Sequence, residues 1–312
     1  MAAAQSDKDL IETEEMVYRA FPEADATRRI ERAVERPARE AIERTLPFRV
    51  HFDELGLHTL FVAFRGRRPV GLFYVRTEEA EWGFMEIGWA LDLDLHVLGF
   101  QFRRGRNRHM QELEKSAFRK DLIGRDYGGV RDLLVPPTGE PAPLAGVPAG
   151  ADELARTCLR SAMKALLVTE LVWSDEVAKL ADRAMGFDAF PAAESLKREV
   201  VRCEQRDTAV HPLLAARVMF AYGTGHSQLG CVVRTDVQLG ERKAAVRWVV
   251  DSQLRVMRVA PMQSWAEDAL RAACTDLVGR QLDGEPLPGN AVQPVATDLA
   301  AVLQRLAERK VR

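Results

Sequence analysis

The feature that most constrains this chain is a repeat. Gly71, which opens Gly-Leu-Phe-Tyr-Val-Arg-Thr, stands 159 positions before Gly230, which opens Gly-Cys-Val-Val-Arg-Thr. At the same offset Phe61 meets Phe220, Gly66 meets Gly225, Trp89 meets Trp248, Asp92 meets Asp251, Leu95 meets Leu254 and Val97 meets Val256. Upstream, Ala20-Phe-Pro-Glu-Ala-Asp25 matches Ala189-Phe-Pro-Ala-Ala-Glu194 at an offset of 169. Downstream, Asp121-Leu-Ile-Gly-Arg125 matches Asp276-Leu-Val-Gly-Arg280 at 155. Order that is kept while spacing drifts by loop-sized steps marks a duplicated module. A length of 312 residues accommodates two such modules. The reading places them at 10–172 and 173–312. It expects them to pack together within the chain, because strand residues such as Phe61, Val75 and Ile87 need apolar cover.

Local patterns predict the elements. Ile30, Val34, Ala38, Ile42 and Leu46 recur every four residues, which predicts a helix over Thr27–Leu46, with Pro37 as a kink. His58–Phe64 and Val70–Arg76 flank a Gly/Pro turn and read as a hairpin. Gly83–Leu91 and Leu95–Phe102 read as a second hairpin, turning at Asp92, whose carboxylate can hold the backbone two residues on. A helix over Arg108–Ile123 ends at Gly124. Pro136–Pro148 reads as a linker, and Asp152 as the cap of a helix over Glu153–Leu171. Ser174 reads as the cap that opens copy two, and a helix over Thr297–Glu308 closes it. Strands grouped between helices give an α+β class, with two tandem repeats of an antiparallel-sheet module flanked by helices.

Composition excludes several alternatives. Hydrophobic residues at 47% and charged residues at 29% suit a folded globular chain. Forty-four basic residues against 46 acidic ones leave no global field for nucleic acid. No apolar run is long enough for a membrane-spanning helix. Four cysteines and six histidines are scattered without metal-ligand spacing. Scattered cysteines and a polar, acidic N-terminus without signal-peptide regions lead to an expected cytoplasmic location.

Several of these residues resemble the flavin-mononucleotide-binding domain family, which occurs in subunits of sodium-translocating NADH:quinone reductase. They are the Phe-Pro-x-Ala-Asp entry at Phe21–Asp25, the hairpin around Gly71, the strand pair through Trp89 and Asp92, and the helix ending Phe118-Arg-Lys-Asp-Leu-Ile-Gly124. The resemblance covers about residues 15–172 and is weaker in copy two. It implies FMN as cofactor, an electron-transfer role and a protein redox partner. In that family a threonine of a Ser-Gly-Ala-Thr element beginning a helix carries the flavin phosphate. The matching positions are Leu154-Ala-Arg-Thr157-Cys158 and Pro294-Val-Ala-Thr297, neither of which reads Ser-Gly-Ala-Thr. The family's Glu-Thr-Pro-Gly-type loop is replaced by Arg103-Arg-Gly-Arg-Asn-Arg-His109, a charge cluster confined to copy one.

The candidate flavin residues follow from that resemblance. Thr157 and Ser161 would meet the phosphate, helped by Arg156, Arg160 and Lys164 on one helix face, or those three would form a solvated basic stripe. Trp89 would stack on the flavin ring, or pack in the core. Glu86 would reach the ligand from the opposite strand face, or lie in solvent. Arg104 and Arg106 would grip an anion, or form a solvated loop. No Ser/His/Asp set, phosphate loop or acid pair stands out for hydrolysis or group transfer. Two functions stay open: a protein that binds flavin non-covalently, and a cofactor-free interaction or scaffold module on the same fold.

Overall fold

The computed structural model describes residues 7–50, 56–81, 83–136, 143–190, 202–207, 217–223, 227–239, 242–262 and 277–282, with single positions at 266, 270 and 299. The chain divides into two compact units, Met1–Ala178 and Lys179–Arg312. Unit one contains α1 (Asp7–Ala20), β1 (Ala26–Ala33), α2 (Arg36–Thr45), β2 (Leu57–Arg65), β3 (Arg68–Ala80), β4 (Gly83–Leu91) and β5 (Val97–Arg104). It continues with α3 (Met110–Glu114), α4 (Ala117–Leu122), α5 (Tyr127–Leu134) and α6 (Asp152–Val172). Next comes α7 (Ser174–Ala189), followed in unit two by β6 (Arg202–Asp207), β7 (Arg217–Tyr222), β8 (Gln228–Leu239), β9 (Arg242–Asp251) and β10 (Val256–Pro261). Both sheets are five-stranded antiparallel meanders in chain order, so the protein is α+β with the same strand plan twice.

The first strand of each sheet was not legible. Where the spacing predicts one helix over Thr27–Leu46, the structure has β1 and then α2. A spacing of four is even, so it satisfies the period of a strand as well as the face of a helix. Pro37 resolves the ambiguity. It lies in the first turn of α2, where its missing N–H costs nothing, whereas a helix starting at Thr27 would carry it in the interior. Ala26–Ala33 instead pairs in full with Phe64–Leu57 of β2.

Three helix ends also differ. Arg108–Ile123 is two short helices, because Ser116 caps the second by accepting the Arg119 N–H while its hydroxyl donates to the Leu113 carbonyl. Asp152 is the first residue of α6, with Ala151 in the cap position. Ser174 is likewise the first residue of α7, since the Trp173 carbonyl already accepts the Val177 N–H. Part of the Pro136–Pro148 linker and all of the Thr297–Glu308 helix except Leu299 lie outside the described residues.

The sheet of unit one has a helix on each face. On one face Met16, Val17 and Phe21 of α1 and its C-terminal flank pack against Phe61, Ala63, Phe73 and Ala90. Phe21 is 2% exposed, a burial that stabilises by about 2–3 kcal/mol. Its ring lies directly over Gly71, where a Cβ would collide with it. The other face, with Leu72, Tyr74 and Trp89, lies under α6. In unit two Met185, Ala189 and Phe190 pack against Met219, Val232 and Val249, and Phe190 lies over Gly230 in the same way. The second face carries Val218, Phe220, Val233 and Trp248, clustered with Leu270, Leu277 and Leu299.

Strand register corrects one residue match. Val62 pairs with Leu72, and Phe220 pairs with Cys231, the residue that stands at Leu72 in copy two. Val62 is therefore the counterpart of Phe220, and Phe61 that of Met219. A slip of one residue moves a side chain to the other face, so the aromatic match in sequence joined residues from opposite faces. The matches at the hairpin turn and after it coincide in the backbone, whereas Gly225, Pro191–Glu194 and Asp276 lie outside the described residues. Asp92 accepts from the N–H groups of Asp94 and His96, as Asp251 does from those of Gln253 and Arg255. Gly124 and Gly279, at φ +82° and +88°, donate to Val97 and Val256.

Candidate functional site

Building up from α6, the predicted flavin residues fall into two groups on opposite faces of the first sheet. Thr157 is buried, the sixth residue of α6, and its hydroxyl accepts from Arg160 at 2.9 Å. Arg160 also pairs with Glu153 at 2.8 Å. Ser161 is buried and accepts from the Trp89 indole at 2.9 Å. Trp89 is fully buried, with its ring 5.3 Å from that of Phe100. Arg156 is half-buried. The three basic residues do not form a solvated stripe, because the Lys164 side chain is 8% exposed and turns inward.

This placement changes the physical case for phosphate. Only the first four N–H groups of a helix lack an intrahelical partner. Ala155 already donates to the Ala151 carbonyl, so Thr157 lies inside the bonded ladder. The first turn carries Asp152 and Glu153, whose charges oppose an incoming anion.

The second group lies on the α1 face. Glu86 pairs with Arg103 at 2.7 Å, and Arg103 also donates to the Thr13 hydroxyl at 2.8 Å and pairs with Asp9 at 3.2 Å. Arg104 pairs with Asp9 and, at 3.2 Å, with Glu12. Much of the cluster's charge thus fastens α1 to the end of β5. Arg106 is exposed, and Arg108 donates to His109 at 3.1 Å. Trp89 and Glu86 alternate across β4, so no single ligand touches both groups.

A different constellation, missed in the sequence, lies under α6. Tyr74 Oη is 2.8 Å from His58 Nδ1 and accepts from Arg76 Nη1 at 3.2 Å. Arg76 Nε is 3.6 Å from Glu78 Oε1, and Glu78 Oε2 accepts from Lys164 Nζ at 2.7 Å. Tyr74 also meets the Trp173 ring edge-on at 5.6 Å. Arg76, Glu78 and Lys164 are all buried. The readable signal was phase: Arg76 and Glu78 continue the inward alternation of Leu72 and Tyr74 along β3.

Copy two serves as an internal comparison. The residues standing at Tyr74, Arg76 and Glu78 are Val233, Thr235 and Val237, all buried. Thr235 accepts from the Trp248 indole at 2.8 Å, the bond that Ser161 makes for Trp89. The corresponding face of the second sheet therefore closes over an uncharged set. Buried ion pairs contribute little net stability relative to apolar packing. The charged network is thus not a requirement of the fold, and it is the candidate functional site. Chemically it links an imidazole, a phenol, a carboxylate and two cations into one polar chain joining β2, β3 and α6.

Cys158 and Cys231 are free and buried. Burial pushes the Cys158 thiol well up and that of Cys231 up to about 12, so neither is a nucleophile. Among the described residues no three His, Cys, Asp or Glu side chains converge on a metal-sized site, and no helix is long and apolar enough to cross a membrane. Comparison with known proteins finds no matching family model and no matching curated protein.

Proposed function

We infer that this chain is a cofactor-free interaction module on a duplicated α+β fold, with copy one the specialised copy. The observation that carries the reading is the start of α6. Thr157 is bonded within the helix and to Arg160, Ser161 is taken by Trp89, and the first turn is acidic. A flavin phosphate would have to displace these bonds and approach two carboxylates. The network of Tyr74, Arg76, Glu78 and Lys164 has the character of buried polar groups kept for specificity. Copy two dispenses with it. The free, buried Cys158 and Cys231 fit a reducing cytoplasm.

The test is optical. The purified protein is expected to be colourless and to leave the fluorescence of added FMN unquenched. A bound flavin spectrum, or saturable quenching lost in Thr157→Ala, overturns the reading in favour of flavin binding and electron transfer.

A further inference from the structure

Nine large apolar side chains are exposed among the described residues, and four of them form two matched pairs. Leu98 and Ile123 belong to copy one, Met257 and Val278 to copy two, each between 39% and 51% exposed. Leu98 and Met257 stand 159 positions apart and Ile123 and Val278 155, the offsets of the strands and of the helix end. A scattered exposed leucine is ordinary, but the same exposed pair at the same place in two diverged copies asks for a cause.

The backbone explains how the pairs arise. Gly99 pairs with Ala90 and Val97 with Leu91, which leaves Leu98 as an extra residue in β5. Arg258 pairs with Val249 and Val256 with Val250, which leaves Met257 extra in β10. A β-bulge re-aims the side chain that it carries. Val97 donates to the Arg125 carbonyl and accepts from the Gly124 N–H, as Val256 does with Arg280 and Gly279. Ile123 and Val278 therefore lie one residue from the bonds that hold a chain segment against the bulged strand.

A guanidinium accompanies each bulge, supplied by a different residue in each copy. Arg119 is four before Ile123, hence on the same side of α4, and its guanidinium lies over Gly99, where a Cβ would meet Nη2 at 2.8 Å. Copy two has Cys274 at the position of Arg119 and carries Arg258 at that of Gly99. Arg119 Nε is buried without a hydrogen-bond partner, and Arg119, Lys120, Arg258 and Arg280 form no ion pair among the described residues. Acids of the rim are engaged: Asp121 by Arg125 at 3.0 Å, Asp92 by His96 at 3.1 Å and Asp251 by Arg255 at 3.8 Å. Asp94 is exposed, and Asp276 and Asp283 lie outside the described residues.

We propose that this surface is a docking site, one in each copy, for a short protein segment that sets a carboxylate beside apolar side chains. The carboxylate meets Arg119 or Arg258, and the apolar side chains cover Leu98 and Ile123, or Met257 and Val278. A second copy of this chain does not fit, because it would bring like cations together. Two apolar side chains also fall far short of a stable dimer's burial of about 800 Å² per partner. An anionic bilayer is drawn by runs of cations, whereas here the exposed Asp94 and Asp121 stand among them. The proposal rests on the interaction reading and names a partner for it. Flavin is read at α6 by colour and this site by peptide, so either can fail alone.

Fluorescence anisotropy of the full chain tests it, with a fluorescein-labelled peptide whose Asp-Leu-Asp-Leu run is flanked by glycine and serine. Saturable binding is expected, weakened by salt, and lost when the run is Asn-Leu-Asn-Leu or Asp-Ser-Asp-Ser. Leu98→Ser and Arg119→Gln should each weaken the copy-one site about tenfold and spare the other. Met257→Ser and Arg258→Gln should do the reverse, and Leu98→Ser/Met257→Ser should weaken both. Leu98, Met257 and Arg258 are exposed, so circular dichroism should show their variants folded. Absence of binding, binding unchanged in Leu98→Ser/Met257→Ser, or equal binding of the Asn-Leu peptide overturns the proposal. So does a chain that sediments with phosphatidylserine vesicles and ignores the peptide.

Discussion

Leu95 and Leu254, 159 positions apart, adopt the same left-handed backbone at φ +63° and +61°. They are the only non-glycine residues with positive φ among those described. Each follows an aspartate that ties down the turn, and each donates its N–H to that aspartate's carbonyl. A conformation that disfavours L-residues, retained at both positions, is a structural signature of duplication.

That turn yields the first prediction. A β-branched residue tolerates the left-handed region worse than leucine does, so Leu95→Val should destabilise unit one by about 1–2 kcal/mol. Asp92→Ala, which removes the acceptor for two N–H groups, should cost about 1–2 kcal/mol. Urea melts of each variant measure both, and Leu254→Val and Asp251→Ala should act alike in unit two.

The same turn differs in pH response between copies. His96 is held above its ordinary value, first by its hydrogen bond to Asp92, then by the charges of Asp92, Asp94 and Asp126, against an opposing effect of burial. A raised folded-state value means that the stabilisation is fully present below the ordinary imidazole pKa of 6.5 and is lost as pH rises through the raised one. Copy two has Arg255 at this position, charged throughout the range. An NMR titration should show His96 titrating above 6.5, and Asp92→Asn should bring it back down. An unshifted His96 in the parent protein would contradict this.

The paired glycines separate two kinds of crowding. A Cβ at Gly71 would strike chiefly the Phe21 ring, whereas one at Gly230 would strike the Val250 carbonyl as well as Phe190. Each alanine variant should destabilise by about 1–3 kcal/mol through overpacking. In double variants, Phe21→Leu should relieve part of the Gly71→Ala cost, while Phe190→Leu leaves the backbone clash at Gly230 in place. Thermal melts of the four single and two double variants decide it.

The charged network gives the fourth prediction. Glu78→Gln leaves Lys164 beside a neutral group in a buried site and should cost about 3–5 kcal/mol. Glu78→Gln combined with Lys164→Met should cost clearly less than the sum of the two single changes, by about 1–3 kcal/mol. Strict additivity would mean that the two side chains do not interact.

The sequence by itself determined the duplication, the α+β class and most turns. Those features rest on short-range chemistry: glycines where backbones approach closely, an aspartate that bonds its own turn, and the glycine that ends the helix after Leu122. Tertiary structure decided the rest. The four-residue spacing of Ile30, Val34 and Ala38 fits both periods, and only pairing with β2 makes Ala26–Ala33 a strand. Phe61 and Phe220 match as letters, but the ladder places them on opposite faces. Thr157 and Ser161 looked available because a sequence does not show what an α6 side chain meets across 72 residues, as Ser161 meets Trp89. The buried chain of Tyr74, Arg76, Glu78 and Lys164 joins residues 86 apart, from Glu78 to Lys164, and needed the sheet and α6 to bring its charges within bonding distance.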